Sequence, residues 1–246
     1  MRGAAGLEAQ WIETRSGVGN GVILYLHGGG FTQSSPKVHH SFLARLCVAT
    51  GRRGLYVEYR LAPEHPFPAA LDDTVSAYRW LIAQGIDRSK VIIAGDSAGA
   101  GLALSAMVQI RESGLPLPAA AVLLCPMCEL TLSSPSASAD KDPIYTRRSL
   151  LRAGQAYAGD RPLSDPRLSP INADLSGLPP ILIQAGELEL FLDDAITLAG
   201  RVRGAGGEAE LSVYHGLWHG WQLYPGFLVP ESRLAVGEIA LFILSH

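Results

Sequence analysis

Three cysteines are too few for a closed disulfide framework in a chain of 246 residues, which points to a reducing compartment and a cytoplasmic protein. Long hydrophobic runs are missing as well: no apolar stretch reaches the ~18 residues of a membrane-spanning helix. The opening MRGAAGLEAQW carries no apolar core of a signal peptide. Neither sign of charge prevails. Twenty Lys and Arg face 23 Asp and Glu, a net of −3, which excludes a strongly basic nucleic-acid binder. Charged residues are scarce at 17% against 48% hydrophobic, so the bulk of the chain has a core to bury and is not disordered. No internal repeat and no low-complexity tract is visible. What abounds is glycine (27) and proline (16), which means many turns and argues against a helix bundle. At about 150 residues per domain, the length allows one large domain or two small ones.

Short apolar runs alternate with longer helical patterns. The strand-like runs are Val22–Leu26, Gly54–Tyr59, Val91–Ala94, Ala121–Leu124, Pro180–Ala185 and Glu210–Tyr214. Near-continuous apolar runs of this length read as parallel strands buried on both faces. Helical patterns lie between them at His40–Thr50, Ala69–Gln84, Ala98–Arg111, Asp193–Gly204 and Glu231–Ser245. That alternation predicts an α/β fold with an open, mostly parallel sheet and helices on both faces. The run Trp11–Thr14 could add one early strand. Residues 133–178 break the rhythm: they are rich in Ser, Pro, Asp and Arg and too long for a simple loop. A helix over Arg147–Ala158 plus part of a lid is expected there, against the plainer reading of a surface insertion.

Gly95-Asp96-Ser97-Ala98-Gly99 fits G-x-S-x-G and sits between a strand and a helix, the context of a nucleophile elbow. Ser97 would occupy a strained turn, with the helix N-terminus presenting backbone N–H groups to any anion formed there. His27-Gly28-Gly29-Gly30 follows the first strand-like run. Its glycines permit close backbone approach and could donate N–H groups to an oxyanion, with the Ala98 N–H as the other donor. A phosphate cradle is the competing reading, but neither G-x-G-x-x-G nor GK[ST] is present.

In an α/β-hydrolase the order along the chain is Ser, acid, His, on loops after successive strands. Four acids follow Pro180–Ala185: Glu187, Glu189, Asp193 and Asp194. Helix capping accounts for at least one of the aspartates. Glu187 lies hard against the strand, and Glu189, in mid-loop, ranks first, with Asp193 second. Of the two histidines after Glu210–Tyr214, His219 lies farther out than His215 and is preferred. His39, His40, His65 and His246 do not fit that order and read as surface or structural. Cys125-Pro126-Met127-Cys128 has redox spacing, but a redox pair should open a helix that lowers the thiol pKa, and this one follows a strand.

The combined motifs make the chain resemble the bacterial hormone-sensitive-lipase-like esterases, family IV of the α/β-hydrolases. The matching pieces are HGGGF (27–31), YRLAPEHPFPAALDD (59–73), GDSAGAGLAL (95–104), LSGLPPILIQAGELELFLDD (175–194) and HGLWHGW (215–221). The resemblance implies one α/β-hydrolase domain over residues 1–246. It maps the acid to Glu189, in a Glu version of the family's D-P-L-x-D motif, and gives Asp193 a supporting place. Oxyanion donors would come from among Gly28, Gly29 and Gly30, with Gly29 and one glycine neighbour preferred, plus Ala98, and Asp96 would brace the elbow. Family members carry a longer segment ahead of the glycine loop, forming a cap. Here 26 residues precede His27, so a reduced cap is expected, with 133–178 as its remnant. The expected reaction is hydrolysis of short-to-medium carboxylic esters through an acyl-enzyme. No cofactor or metal is called for, and His and Cys show no zinc-type spacing. Phe31, Met127, Leu190, Phe191 and Trp218, which flank the catalytic loops, are the expected pocket residues, with core packing as their alternative. The expected partner is a small-molecule ester, with no nucleic acid and a homodimer as the oligomer. Competing functions are a non-catalytic ligand-binding protein on this fold, an amidase, and a weakly active, shortened esterase.

Overall fold

The computed structural model describes residues 2–4, 7–13, 19, 21–139 and 141–246. In chain order the elements are β1 (Arg2–Ala4), β2 (Leu7–Ile12), β3 (Val22–Leu26), α1 (Pro36–Thr50), β4 (Arg53–Glu58), α2 (Ala69–Ala83), β5 (Val91–Asp96) and α3 (Ala98–Glu112). There follow β6 (Ala120–Leu124), α4 (Pro135–Ser138), α5 (Arg147–Ala158), β7 (Ile181–Gly186), α6 (Leu192–Gly204), β8 (Ala209–Tyr214) and α7 (Glu231–Ser245). Among the described residues the strands form one eight-stranded sheet in the order β1-β2-β4-β3-β5-β6-β7-β8. From β4 to β8 every pairing is parallel, whereas β1 and β2 are antiparallel additions at one edge.

Most of the apolar runs become central strands because each must hide both faces, but the expectation fails for Glu210–Tyr214: it lies in β8 at the sheet edge, where none of its residues is fully buried. Every residue of β3, β5, β6 and β7 is buried. Alternate side chains point to opposite faces, which splits the interior in two. Leu24, Leu26, Ile93, Leu123 and Ile183 join one core with residues of α2, α3 and α6. Ile23, Tyr25, Ile92, Val122 and Leu182 join the other with residues of α1 and α7. The expected α/β architecture with helices on both faces is therefore present. None of the helices among the described residues is long and apolar enough to cross a membrane.

Two departures have local causes. The early strand is β2, ending at Ile12, rather than Trp11–Thr14; Thr14 lies outside the described residues. Its Trp11 carries the Arg53 guanidinium over the ring at 4.1 Å, an edge contact no periodicity signals. Helix α1 begins at Pro36, ahead of His40, because proline suits the first helical turn, where its missing N–H is no loss.

Within 133–178 the expected helix is α5, opened by a capping box in which Thr146 and Ser149 satisfy each other's backbone. It buries Leu150, Gly154, Tyr157 and Ala158. The Tyr157 ring stacks on Phe31 at 3.8 Å between centroids, and this lays the segment over the glycine loop. The short α4 is held from the other side: Ser136 N–H donates to Asp193 Oδ2 at 2.7 Å, and Ser136 Oγ–H donates to the Leu190 carbonyl at 2.8 Å.

Candidate active site

Ser97 stands at the break between β5 and α3 with φ 53° and ψ −120°. A positive φ on a non-glycine residue costs about 1–3 kcal/mol and persists only where the surroundings enforce it. Here they do. The Ser97 N–H donates to the Leu124 carbonyl at 2.8 Å, and the Ser97 carbonyl accepts from Met127 N–H at 3.1 Å. A side chain at Gly99 would collide with the carbonyls of Leu26 and His27, so the close crossing of α3 over β3 requires glycine there. The turn lifts Oγ out of the sheet and into a cleft.

His219 and Glu189 arrive from the loops after β8 and β7. His219 Nε2 lies 2.8 Å from Ser97 Oγ, and His219 Nδ1 lies 2.9 Å from Glu189 Oε2. The other carboxylate oxygen of Glu189 accepts the Gly186 N–H at 2.8 Å. An ionised Glu189 can only accept, so Nδ1 carries the ring proton, Nε2 is left as acceptor and the Ser97 hydroxyl donates to it. All three residues are buried. Phe191 and Tyr145 both meet the imidazole edge-on, at 5.1 and 5.2 Å. His215, by contrast, is solvent-exposed and pairs with Glu187 at 3.3 Å.

The glycine loop is held by Asp96. Asp96 Oδ1 accepts from Gly28 N–H at 3.0 Å and from the Tyr25 hydroxyl at 2.7 Å, while Oδ2 lies 3.5 Å from His39 Nε2. Burial works to raise the Asp96 carboxyl, but the nearby His39 and the Tyr25 hydrogen bond outweigh it and hold the carboxyl below its usual value. Burial also opposes charge on His39, and Asp96 overcomes that to raise its pKa. One expectation is corrected here. The Gly28 N–H is already donated to Asp96, so it is not available to an oxyanion. Gly29 and Gly30 line the cleft, and the Gly29 turn needs its φ of 117°, where a Cβ would strike the Gln33 carbonyl.

The cleft has a volume of about 470 Å³ and opens on Ser97 and His219. Its apolar wall is Val38, Ile144, Tyr145, Leu150, Leu223 and Tyr224, and its polar side carries Gln33, Ser35, His39 and Ser41. None of the five expected pocket residues lines it. Phe31 is buried under Tyr157, and Met127 and Leu190 are buried in the larger core. Phe191 supports the imidazole from inside. Trp218 packs with Tyr224 at 5.9 Å on the outer loop. Phe31, Met127, Leu190 and Phe191 neighbour the catalytic loops in sequence but are packed into the core.

Asp193 supports α4 through Ser136 and makes no hydrogen bond to the Glu189–His219 pair. Sequence reasoning missed Asp142, whose Oδ2 accepts the His219 N–H at 3.2 Å; Asp-Pro ahead of a helix is an ordinary turn signal that says nothing of a contact 77 residues away. It also missed His39, which reaches the cleft from α1. Cys125 and Cys128 are buried free thiols whose pKa values burial pushes well up, which is unlike a reactive redox pair. Cys125 Sγ accepts from Gly220 N–H at 3.3 Å and donates to Gln222 Oε1 at 3.2 Å. It lies with Glu189 and His219 in the one group of metal-type donors found among the described residues. The direct His219–Glu189 bond occupies two of those three groups.

The family described as alpha/beta hydrolase fold matches residues 23–223. The chain is 38% identical over 237 residues to an acetyl-hydrolase of Streptomyces hygroscopicus, covering 96% of this chain and 79% of that one. It is 33% identical over 245 residues to an esterase of Acinetobacter venetianus, covering 98% and 80%. The crystal structure of an esterase from the bacterial hormone-sensitive lipase family superposes with a TM-score of 0.96 at 41% identity, over 99% of this chain and 82% of that one. The chain therefore belongs to the α/β-hydrolase fold family, among its bacterial hormone-sensitive-lipase-like members.

Proposed function

We propose that this protein is a carboxylic ester hydrolase that works through an acyl-enzyme on Ser97. The observation that carries the reading is the unbroken buried chain from Ser97 Oγ through His219 to Glu189, at 2.8 and 2.9 Å, opening on a cleft. His219 Nε2 takes the serine proton as Oγ attacks the ester carbonyl. Glu189 keeps the imidazole in the right tautomer and stabilises its cation without accepting the proton. The oxyanion is received by N–H groups of Gly29, Gly30 and Ala98, each such donor worth about 3–4 kcal/mol of barrier. His219 then protonates the leaving alcohol, and a water it activates releases the acid. Similarity to an acetyl-hydrolase and an esterase supports the ester as substrate.

The cleft favours small neutral esters. Its wall is mostly apolar and carries no Lys or Arg among the lining residues, so no Lys or Arg there can pair with a charged acyl or alcohol group. Segment 133–178 acts as the cover, since it lends Ile144, Tyr145 and Leu150 to the wall. The test is hydrolysis of p-nitrophenyl butyrate by the purified chain with Ser97→Ala beside it. Turnover that disappears in Ser97→Ala is expected. Equal rates for the two proteins would overturn the reading.

A further inference from the structure

Asp142 is a buried carboxylate that the reaction steps above do not use, and it joins two parts of the site by hydrogen bonds. Its Oδ1 accepts the N–H groups of Ile144 and Tyr145 at 2.8 and 3.2 Å. Its Oδ2 accepts the N–H of His219 at 3.2 Å. Ile144 and Tyr145 line the cleft, and the Tyr145 ring then meets the His219 imidazole edge-on at 5.2 Å. One carboxylate therefore fixes a wall against which substrate rests and the backbone of the residue that moves its proton.

The His219 loop needs such a pin. It lies outside any strand or α-helix, and the next residue, Gly220, turns it with φ 74°, so no regular ladder fixes the imidazole's backbone. Its ring has four supports, Ser97, Glu189, Phe191 and Tyr145. The backbone hydrogen bond to Asp142 ties the same residue to segment 133–178 from outside the sheet.

We infer that Asp142 is a positioning residue for the hydrolysis, holding His219 in line with Ser97 and coupling that alignment to the Ile144–Tyr145 wall. The inference rests on the hydrolytic reading above. Both carboxylate oxygens accept, so no amide can replace them: an asparagine would turn its NH₂ group toward one of the backbone donors.

The experiment compares wild type, Asp142→Ala, Asp142→Asn and Ser97→Ala on p-nitrophenyl acetate. Rates of the three proteins that keep Ser97 are expressed per serine titrated with a phosphonate, so that misfolded protein does not count, and that of Ser97→Ala per total chain. The proton NMR spectrum is recorded for the downfield Nδ1–H resonance of His219. Asp142→Ala should lower kcat per titrated serine by about 10–100-fold, the scale of a small misplacement of a catalytic group. Asp142→Asn should fall less, because one acceptor remains, and the Nδ1–H resonance should shift or broaden in both. A kcat per titrated serine within about twofold of wild type in the isosteric Asp142→Asn and in Asp142→Ala, with the resonance unmoved, overturns the inference even if thermal stability drops. If Asp142→Ala does not fold, the Asp142→Asn result decides alone. Wild-type turnover equal to Ser97→Ala would overturn the hydrolytic reading and this inference with it, a failure distinct from an active enzyme indifferent to Asp142.

Discussion

Glu189 divides its carboxylate between two donors, Oε1 to the Gly186 N–H and Oε2 to His219 Nδ1. A glutamine offers one oxygen and one NH₂ group in the same volume, so one of those two N–H groups would face another donor. Glu189→Gln should therefore fold and yet lose kcat by about 10³–10⁴-fold, through the wrong imidazole tautomer. The measurement is steady-state hydrolysis of p-nitrophenyl butyrate with circular dichroism as the folding control; a loss under tenfold would contradict the assigned role. The same allocation logic governs Gly28. It was legible from HGGG that backbone N–H groups gather beside Ser97. Which of them remain free was not, because the partner that takes the Gly28 N–H, Asp96, is 68 residues away.

Among the elements, α5 links fold to substrate. Its buried side fixes the glycine loop through the Tyr157–Phe31 stack, and Leu150 reaches the cleft. Leu150→Ala should cost about 2–5 kcal/mol of stability as a large-to-small change at a buried site. The same change enlarges the cleft, so longer p-nitrophenyl esters should gain in kcat/KM relative to the butyrate. A chain-length series and a thermal melt read both effects, and an unchanged length preference would separate α5 from substrate contact. The position of α5 in sequence was expected over Arg147–Ala158, while its capping box at Thr146 and Ser149 came with the structure. Its docking surface was not legible, because Phe31 looks equally like a pocket residue until Tyr157 covers it.

For the whole molecule, the pH dependence of stability carries a signature of one buried group. Burial pushes the Asp194 carboxyl up to about 7 from an ordinary 3.8, helped by the nearby negative charges of Glu129, Asp193 and Glu189 and opposed by Ser134. The folded chain thus holds a proton that the unfolded chain has released, and stability falls as pH rises from about 4 to about 7 and then levels off. The full span is worth at most about 4 kcal/mol. Asp194→Asn, neutral in both states, should flatten that slope and be more stable than wild type above pH ~7. Urea unfolding at several pH values measures it; an Asp194→Asn chain with the wild-type slope would show that other groups set the dependence.

The sequence by itself determined what adjacency and period encode. Apolar runs without alternation had to become strands, the central ones covered on both faces and the edge run Glu210–Tyr214 left partly exposed. G-x-S-x-G between Val91–Ala94 and the following helix had to become a sharp turn. Ser97, Glu189 and His219 could be ranked because each follows a strand in the required order. The tertiary structure decided everything that depends on which groups remain unpaired once the layers close. It spent the Gly28 N–H on Asp96, turned Phe31, Met127 and Leu190 into core, and built the cleft wall from Val38, Ile144, Tyr145, Leu150, Leu223 and Tyr224. It also brought Asp142 to the backbone of His219. Those outcomes are fixed by packing across the chain, where a hydrogen bond goes to the nearest partner in space, and nearness in space has no period for a sequence to display.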